Sequence, residues 1–354
     1  MTDEMVTIQT KDEGGKTRMF AFGAPEPALG DGRWFSDYLE CVSNGTYFET
    51  PIPTHALAKS FRANPHHESA IRLKRNLIAK LFKPTPYLDM ANFRALVLDY
   101  LIFGYGCLDR VDAKTGKPLR FERVLARYVR RSVDLKDFYY LQGSSCDAYG
   151  YYGHQGYVPY KFPHGQMYMF MEPDIDQEVY GMPEYISALQ SVWLNEAATL
   201  FRRKYYINGS HAGYLLYVND ADLEEEDVNA LKETIESTKG LGNFKNIFMH
   251  SPGGSPKAIQ LVSFGEAAAK DEFAGMKNVS RDDVLAAHRV PPQLLGIVPA
   301  NSGGFGDVGK ANETYLKNEI FPMLHVFKAI NDELGLRVVD FISEEEALKM
   351  IGSG

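Results

Sequence analysis

The sequence is poor in cysteine, in tryptophan and in net positive charge. Three cysteines, Cys41, Cys107 and Cys146, are scattered over 354 residues. No two have the C-x-x-C spacing of a zinc or redox site, and an odd number closes no disulfide framework, so a reducing compartment is the expectation. Lysine and arginine number 38 against 46 aspartates and glutamates, giving a formal net charge of −8. That excludes a general basic coat for gripping nucleic acid. It leaves room for DNA contact of another kind, since an acidic wall lets DNA slide without sticking. The longest apolar runs, such as residues 96–103, fall far short of the roughly 20 residues of a membrane helix, and the N-terminus lacks the pattern of a signal peptide. G-x-S-x-G, H-E-x-x-H and Cys/His arrangements are missing as well, so no catalytic residue, metal ligand or cofactor is assigned. Aromatic residues are present in supply: Tyr and Phe number 21 each against two Trp. Such a balance suits β-rich packing or large subunit interfaces.

Residues 1–32 are polar, with Gly-Gly and Pro-x-Pro signals, and read as a loose arm. Residues 34–41 read as a short amphipathic helix, and "TPIPTH" (50–55) as a turn before polar helical segments. Phe93, Leu96, Val97, Tyr100 and Leu101 recur at helical spacing, and "GYG" (104–106) ends that helix. "CLDRVD" and "LRFERV" flank the turn "AKTGKP", predicting a hairpin. Residues 138–171 read as short strands, with "QMYMFM" the buried one. Pro183 is expected to open a helix with the apolar stripe Ile186, Leu189, Trp193, Ala197 and Leu200, stopped at Asn208-Gly209. A strand "YLLYV", a helix capped by Asp222 and two strands, "FKNIFM" and "KAIQLVSF", follow. Residues 273–290 are helical again, broken by Pro291-Pro292. The last long helix carries Leu316, Ile320, Leu324, Phe327, Ile330 and Leu334, with Pro322 expected to kink it and Gly335 to end it.

The stretch GFGDVGKA (304–311) is one residue short of a phosphate-binding loop. Ala311 stands where a magnesium-binding Ser or Thr belongs, and prolines rather than a strand precede the glycines. The preferred reading is a mobile loop: Gly303, Gly304, Gly306 and Gly309 free the backbone. Lys310 stands where it can meet a phosphate. "PHHE" (65–68) is a poor chelate, because adjacent helical residues diverge, and it reads as a solvated surface. Arg120, Arg123, Arg127, Arg130 and Arg131 form the densest basic cluster, read as a solvated face or protein interface. Glu224, Glu225, Glu226 and Asp227 sit at a predicted helix start, where the dipole favours anions. That acidic face is also suited to a basic partner.

Two stretches resemble tailed-phage portal proteins, in particular the short portals of P2-like and PBSX-like phages. One runs from "DIDQEVYGMPEY" through "YYINGSHAGYLLYV", the other from "HRVPPQLLG" through the Gly/Asn loop into the long helix. The resemblance covers residues 100–334. It implies an α+β portal fold and a ring, usually a dodecamer, at one capsid vertex of the virion, assembled in the host cytoplasm. Viral dsDNA passes through such a ring without sequence readout, driven by a separate terminase, so the chain is expected to have no enzymatic activity of its own. Implied partners are further copies of the chain, the terminase large subunit, the major capsid protein and scaffold, and head-completion or connector proteins, with no membrane. The alternatives are a P-loop NTPase-like packaging factor and another head–tail adaptor ring. The implied parts are a wing (33–182), a first stem helix (183–207), a clip (208–265), a second stem helix (266–290), a tunnel loop (291–310) and a long kinked helix with a short tail (311–354), the crown being minimal or absent. The implied channel residues are Asn301, Ser302, Gly303, Gly304, Phe305, Gly306, Asp307, Val308, Gly309 and Lys310. Glu224, Glu225 and Asp227 would dock partners on the clip.

Overall fold

The computed structural model describes residues 6–9, 18–21, 41–141, 159–172, 174–175, 178–207, 214–218, 259–263, 269–297 and 307–352. Strands β1 (Val6–Gln9) and β2 (Arg18–Ala21) pair antiparallel. The expected loose arm therefore carries a hairpin. Helix α1 (Thr54–Ser60) precedes α2 (Pro65–Leu81). Asn64 caps α2: its side-chain oxygen accepts the N–H of His66 at 2.8 Å, while Pro65 fills the first turn at no hydrogen-bond cost. β3 (Phe82–Lys83) leads to α3 (Met90–Phe103), capped by Asp89. The apolar spacing of α3 has its predicted effect: Phe93, Leu96, Val97, Tyr100 and Leu101 are all buried. Gly104 ends the helix at φ +81°, a conformation that favours glycine.

The predicted hairpin is β4 (Tyr105–Asp112) and β5 (Pro118–Val124). β6 (Val129–Arg131), β7 (Phe138–Tyr140) and β8 (Tyr160–Lys161) form a second small sheet. β9 (Met167–Met171) pairs with β4, so β4 is central in a three-stranded antiparallel sheet. After a 3-10 turn at Ile186–Ala188 comes α4 (Leu189–Ile207). β10 (Tyr214–Val218) and β11 (Ile259–Ser263) pair antiparallel, and α5 (Ala269–Ala287) returns alongside α4. A 3-10 turn at Pro292–Leu295 precedes α6 (Val308–Tyr315). A π-turn over Leu316–Ile320 continues it into α7 (Phe321–Leu334), ended by Gly335. β12 (Asp340–Phe341) pairs with β3, and α8 (Glu344–Gly352) closes the described chain. α3 and α7 bring Phe93 and Phe327 edge-to-face at 5.6 Å between ring centroids, with Phe82 stacked on Phe93 at 3.9 Å. This aromatic centre is where most of the phenylalanine surplus in the middle of the chain goes.

Three expectations need correction. The helix expected at Pro183 begins at Leu189, because Glu184 and Tyr185 are tied to partners elsewhere. The inward stripe of α4 is Leu189, Val192, Trp193 and Ala198, whereas Ala197 and Leu200 are exposed. Pro322 produces a π-turn in place of a break: the N–H of Phe321 bonds to the carbonyl of Leu316, one residue further than in an α-helix. The wide turn takes the proline without leaving the helix. The helix expected over 34–40, the one expected after Asp222, and the strand "FKNIFM" lie outside the described residues.

Candidate functional site: the junction beside residues 298–306

Four elements meet at Lys74 on α2. Its side chain is 1% exposed, yet its ammonium donates to Glu319 at 2.5 Å and to Glu184 at 2.8 Å. Arg289 completes the group, 3.1 Å from Glu319 and 3.6 Å from Glu184. Two cations face two carboxylates, so the buried charge cancels, which is what makes burial tolerable. Arg289 sits at φ +54°, a conformation that arginine seldom adopts. The carboxylate of Glu319, followed by that of Glu184, raises its pKa further. Glu172 lies near enough that burial first, then Glu184 and Glu319, raise its own pKa.

Beside this group His67 and His288 are joined ring to ring, Nδ1 to Nε2 at 2.9 Å, with Tyr185 edge-on to His67 at 4.4 Å between centroids. One imidazole must donate and the other accept, so the contact suits a neutral pair. Burial pushes His67 down to about 4 and lowers His288 well below its ordinary value. The expected solvated "PHHE" surface is thus half wrong. Adjacent helical residues do diverge: His66 stays half-exposed, while His67 is turned into the core. What the sequence lacked was any signal joining position 67 to position 288.

The two stretches that carried the family resemblance converge here. Of "YGMPEY", Tyr180 donates its hydroxyl to the carbonyl of Phe48, and Gly181 lies against Gly104 so closely that a side chain on either would strike the other's backbone segment. Glu184 holds Lys74, and Tyr185 donates to the carbonyl of Ile102 at 2.5 Å. Of "HRVPPQLLG", His288 and Arg289 enter the network, and Gly296 takes φ +71°. Both flanks of residues 298–306 are therefore seated on α2 and its charge cluster. Among the described residues, the buried polar atoms with no hydrogen-bond partner are Asn64 Nδ2, His67 Nε2, Gln293 Oε1 and Tyr315 OH. All four lie on this seam or in the turns leading from it.

The family profile described as phage portal protein matches residues 58–345. The chain belongs to the phage portal protein family. It is 44% identical over 328 residues to the probable portal protein of Escherichia phage P2, covering 93% of this chain and 92% of that protein. It is 34% identical over 284 residues to the probable portal protein of Haemophilus phage HP1, 80% of each chain. Among solved structures, a chain from the virion of a native gene transfer agent particle is similar at TM-score 0.58 and 17% identity over 89% of both chains. An HK97 family phage portal protein from Corynebacterium diphtheriae is similar at TM-score 0.54 and 12% identity, covering 80% of this chain and 94% of that one. At such identities the structural likeness speaks for the fold.

The expected channel residues divide. Asn301, Ser302, Gly303, Gly304, Phe305 and Gly306 lie outside the described residues, as do Glu224, Glu225 and Asp227. Asp307 is the cap of α6: its carboxylate accepts the N–H of Lys310 at 2.9 Å. Val308 and Gly309 form the first turn, so the portal family's long helix starts three residues before the expected 311. Lys310 is 83% exposed, with its ammonium 3.7 Å from Asp307. The residues ahead of the glycines, Pro292–Leu295, form a 3-10 turn where a phosphate-binding loop has a strand.

The arginine cluster is largely internal. Arg130 is 1% exposed and donates to Glu49 at 3.0 Å, and Arg123 grips the buried Asp99 with two bonds. Burial raises the pKa of Asp99, and Arg123 opposes that. Arg131 donates to the carbonyls of Leu135 and Glu178. Arg120 pairs with Glu122 at the surface. The expectation of a solvated face or interface holds only for Arg120 and Arg127.

Proposed function

We propose that this portal-family chain assembles with further copies of itself into a ring at one capsid vertex, forming the channel through which viral dsDNA is packaged and ejected. The observation that carries the reading is on the paired helices. α4 and α5 lie side by side, joined by Asn195 Nδ2 to Ser280 Oγ at 2.7 Å and by Ser191 Oγ to Asp283 at 3.0 Å. Their outer faces leave Leu194, Leu200, Met276 and Val279 exposed at 47%, 47%, 36% and 63%. Apolar stripes on both members of a long helix pair call for a neighbour on each side, and a rotationally symmetric ring supplies one. A neck of a native gene transfer agent particle computed with C12 symmetry, similar to this chain at TM-score 0.52, supports the same arrangement.

In that reading α4 and α5 are the stem helices and β10–β11 the root of the clip. Residues 298–306 form a tunnel loop held between the 3-10 turn and α6, and Lys310 meets phosphates without base specificity. The polar, incompletely paired seam under the loop lets its anchors shift at little cost. The clip docks terminase and then head-completion proteins, and the wing contacts capsid protein and scaffold. Imaging of the purified protein tests the ring: hollow particles of about a dozen subunits are expected, and monodisperse monomers at every concentration would overturn it. Deleting residues 303–306 is expected to leave rings intact and impair packaging, and ATP binding is expected to be undetectable with or without Lys310→Ala. Packaging unaffected by the deletion refutes the tunnel-loop role, and ATP hydrolysis lost in Lys310→Ala supports the NTPase reading instead. Reversing Glu225 and Asp227 is expected to weaken terminase docking more than ring assembly.

A further inference from the structure

A cleft of about 450 Å³ opens where α1 and the turn after it meet α4. Its rim is cationic: Lys59, Arg62 and Arg127, with His55 between them. Among the described residues no carboxylate lies within ion-pair distance of those three cations. Arg62 and Arg127 instead lie over the rings of Phe61 and Tyr128. The floor is apolar, made of Ala58, Ala63 and the edge of Trp193, whose indole N–H is already used by Ser60 Oγ at 3.2 Å. Burial, then Arg127 and Lys59, lower the pKa of His55, in keeping with a concentrated positive field.

The same chain carries the reverse of this surface. Residues 172–178 read E-P-D-I-D-Q-E, four acids with no base. In their midst Ile175 is 96% exposed, the most exposed large apolar side chain described. An isoleucine held out between carboxylates matches an apolar floor ringed by cations. In one chain both remain unfilled: the cleft is open and Ile175 meets solvent.

We propose that the 174–178 loop of one copy seats in the Lys59–Arg62–Arg127 cleft of its neighbour, with Ile175 on the floor beside Trp193. The proposal rests on the ring reading above and names one of its contacts. A ring joins unlike faces of successive subunits, so a knob and a cleft on one chain satisfy each other around the circle. The contact also addresses repulsion, since copies of net charge −8 need local charge complementarity to sit side by side. A nucleic acid fits the cleft less well. Glu196 stands on its wall, its size suits a side chain and flanking backbone, and a phosphate has nothing to place on the apolar floor.

The test compares four forms of the full chain by mass photometry and sedimentation over a range of concentration and salt. They are wild type, Lys59→Glu with Arg62→Glu, Asp174→Lys with Glu178→Lys, and all four together. Each pair of reversals is expected to raise the concentration of half-assembly about tenfold or more, and the fourfold swap to recover most of that loss. Ile175→Ser, a change at an exposed position that leaves folding alone, is expected to weaken assembly without altering its salt dependence. Thermal melting of each form separates misfolding from lost contact. Wild-type rings with reversals that assemble unchanged, or a swap no better than either reversal, overturn the pairing and leave the ring standing. Rings that persist in the cleft variant while binding of a short DNA duplex is lost also overturn it, in favour of a nucleic-acid site. A wild-type chain that forms no ring removes the ring reading and this contact with it.

Discussion

Lys74 is 1% exposed and Leu200 is 47% exposed. A charge lies inside and an aliphatic side chain lies outside, and each inversion has its own physical resolution. At Lys74 the answer is within the chain: Glu184, Glu319 and Arg289 close a neutral cluster that links α2, the segment before α4, the end of α5 and the π-turn. On the outer face of α4 the chain offers no answer, since Leu194, Ala197 and Leu200 have nothing of their own over them. The contrast separates two kinds of family residue. Those in "YGMPEY" and "HRVPPQLLG" hold the junction together, whereas the surfaces suited to other molecules lie on helix faces and loops with no memorable motif.

The strongest way to break the comparison is to remove the buried cation. Lys74→Ala leaves Glu319 buried beside a more exposed Arg289, and an uncompensated buried charge costs about 3–5 kcal/mol. Denaturant unfolding of the purified chain measures it. A loss below about 1 kcal/mol would mean that Arg289 or water takes over, and the junction would lose its claim to be closed. Trp193→Ala comes next, at about 3 kcal/mol. Its ring is 9% exposed because one edge borders the cleft, so the lower end of the range for a lost aromatic applies. Wild-type melting in that variant would move Trp193 from the core to the rim.

The histidine pair sharpens the comparison through pH. His67 and His288 are held neutral by burial, with folded pKa values below the unfolded 6.5. The unfolded chain then binds more protons than the folded one below that pH. Stability is therefore whole above about pH 6.5 and falls as the pH drops toward 4, the value to which His67 is pushed. The slope is about 1.4 kcal/mol per pH unit for each proton taken up. Lys74 faces the pair and opposes its protonation, while Tyr185 packs against both rings. Unfolding curves of wild type and His67→Gln between pH 4 and 8 provide the check, the variant being expected to show the shallower dependence.

Local periodicity made much of the fold legible. The α3 stripe, the hairpin around "AKTGKP", the strand at Met167–Met171, and the ends at Gly104 and Gly335 follow from residue spacing and from glycine's conformational freedom. The junction was hidden because its members stand at 67, 74, 184, 288, 289 and 319, far apart in sequence. A lysine at 74 looks like any surface lysine, and nothing local says that a carboxylate from a π-turn will reach it. The arginine cluster misled for the same reason: the partners of Arg123 and Arg130 are Asp99 and Glu49, on other elements. The α4 stripe was misread in phase, since at the wing end of the helix Val192 and Ala198 face inward while Leu194 and Leu200 follow a second apolar line.

The smallest effect on folding belongs to that second line, and it separates the two halves of the contrast most cleanly. Leu194→Ser and Leu200→Ser remove apolar area that the single chain leaves in water. Their combined effect on unfolding should stay within about 0.5 kcal/mol, as for surface positions that touch nothing special. Assembly should respond differently. If the neighbour's α5 covers the stripe with Met276 and Val279, each lost leucine removes about 1.5–3 kcal/mol of burial at every interface. Rings should then give way to monomers at concentrations where wild type assembles, while the thermal melt of the monomer stays put. A double variant that melts early has its leucines in the fold, and one that assembles like wild type has them facing solvent in the ring. Only folding unchanged with assembly lost agrees with a helix built to be covered by another copy.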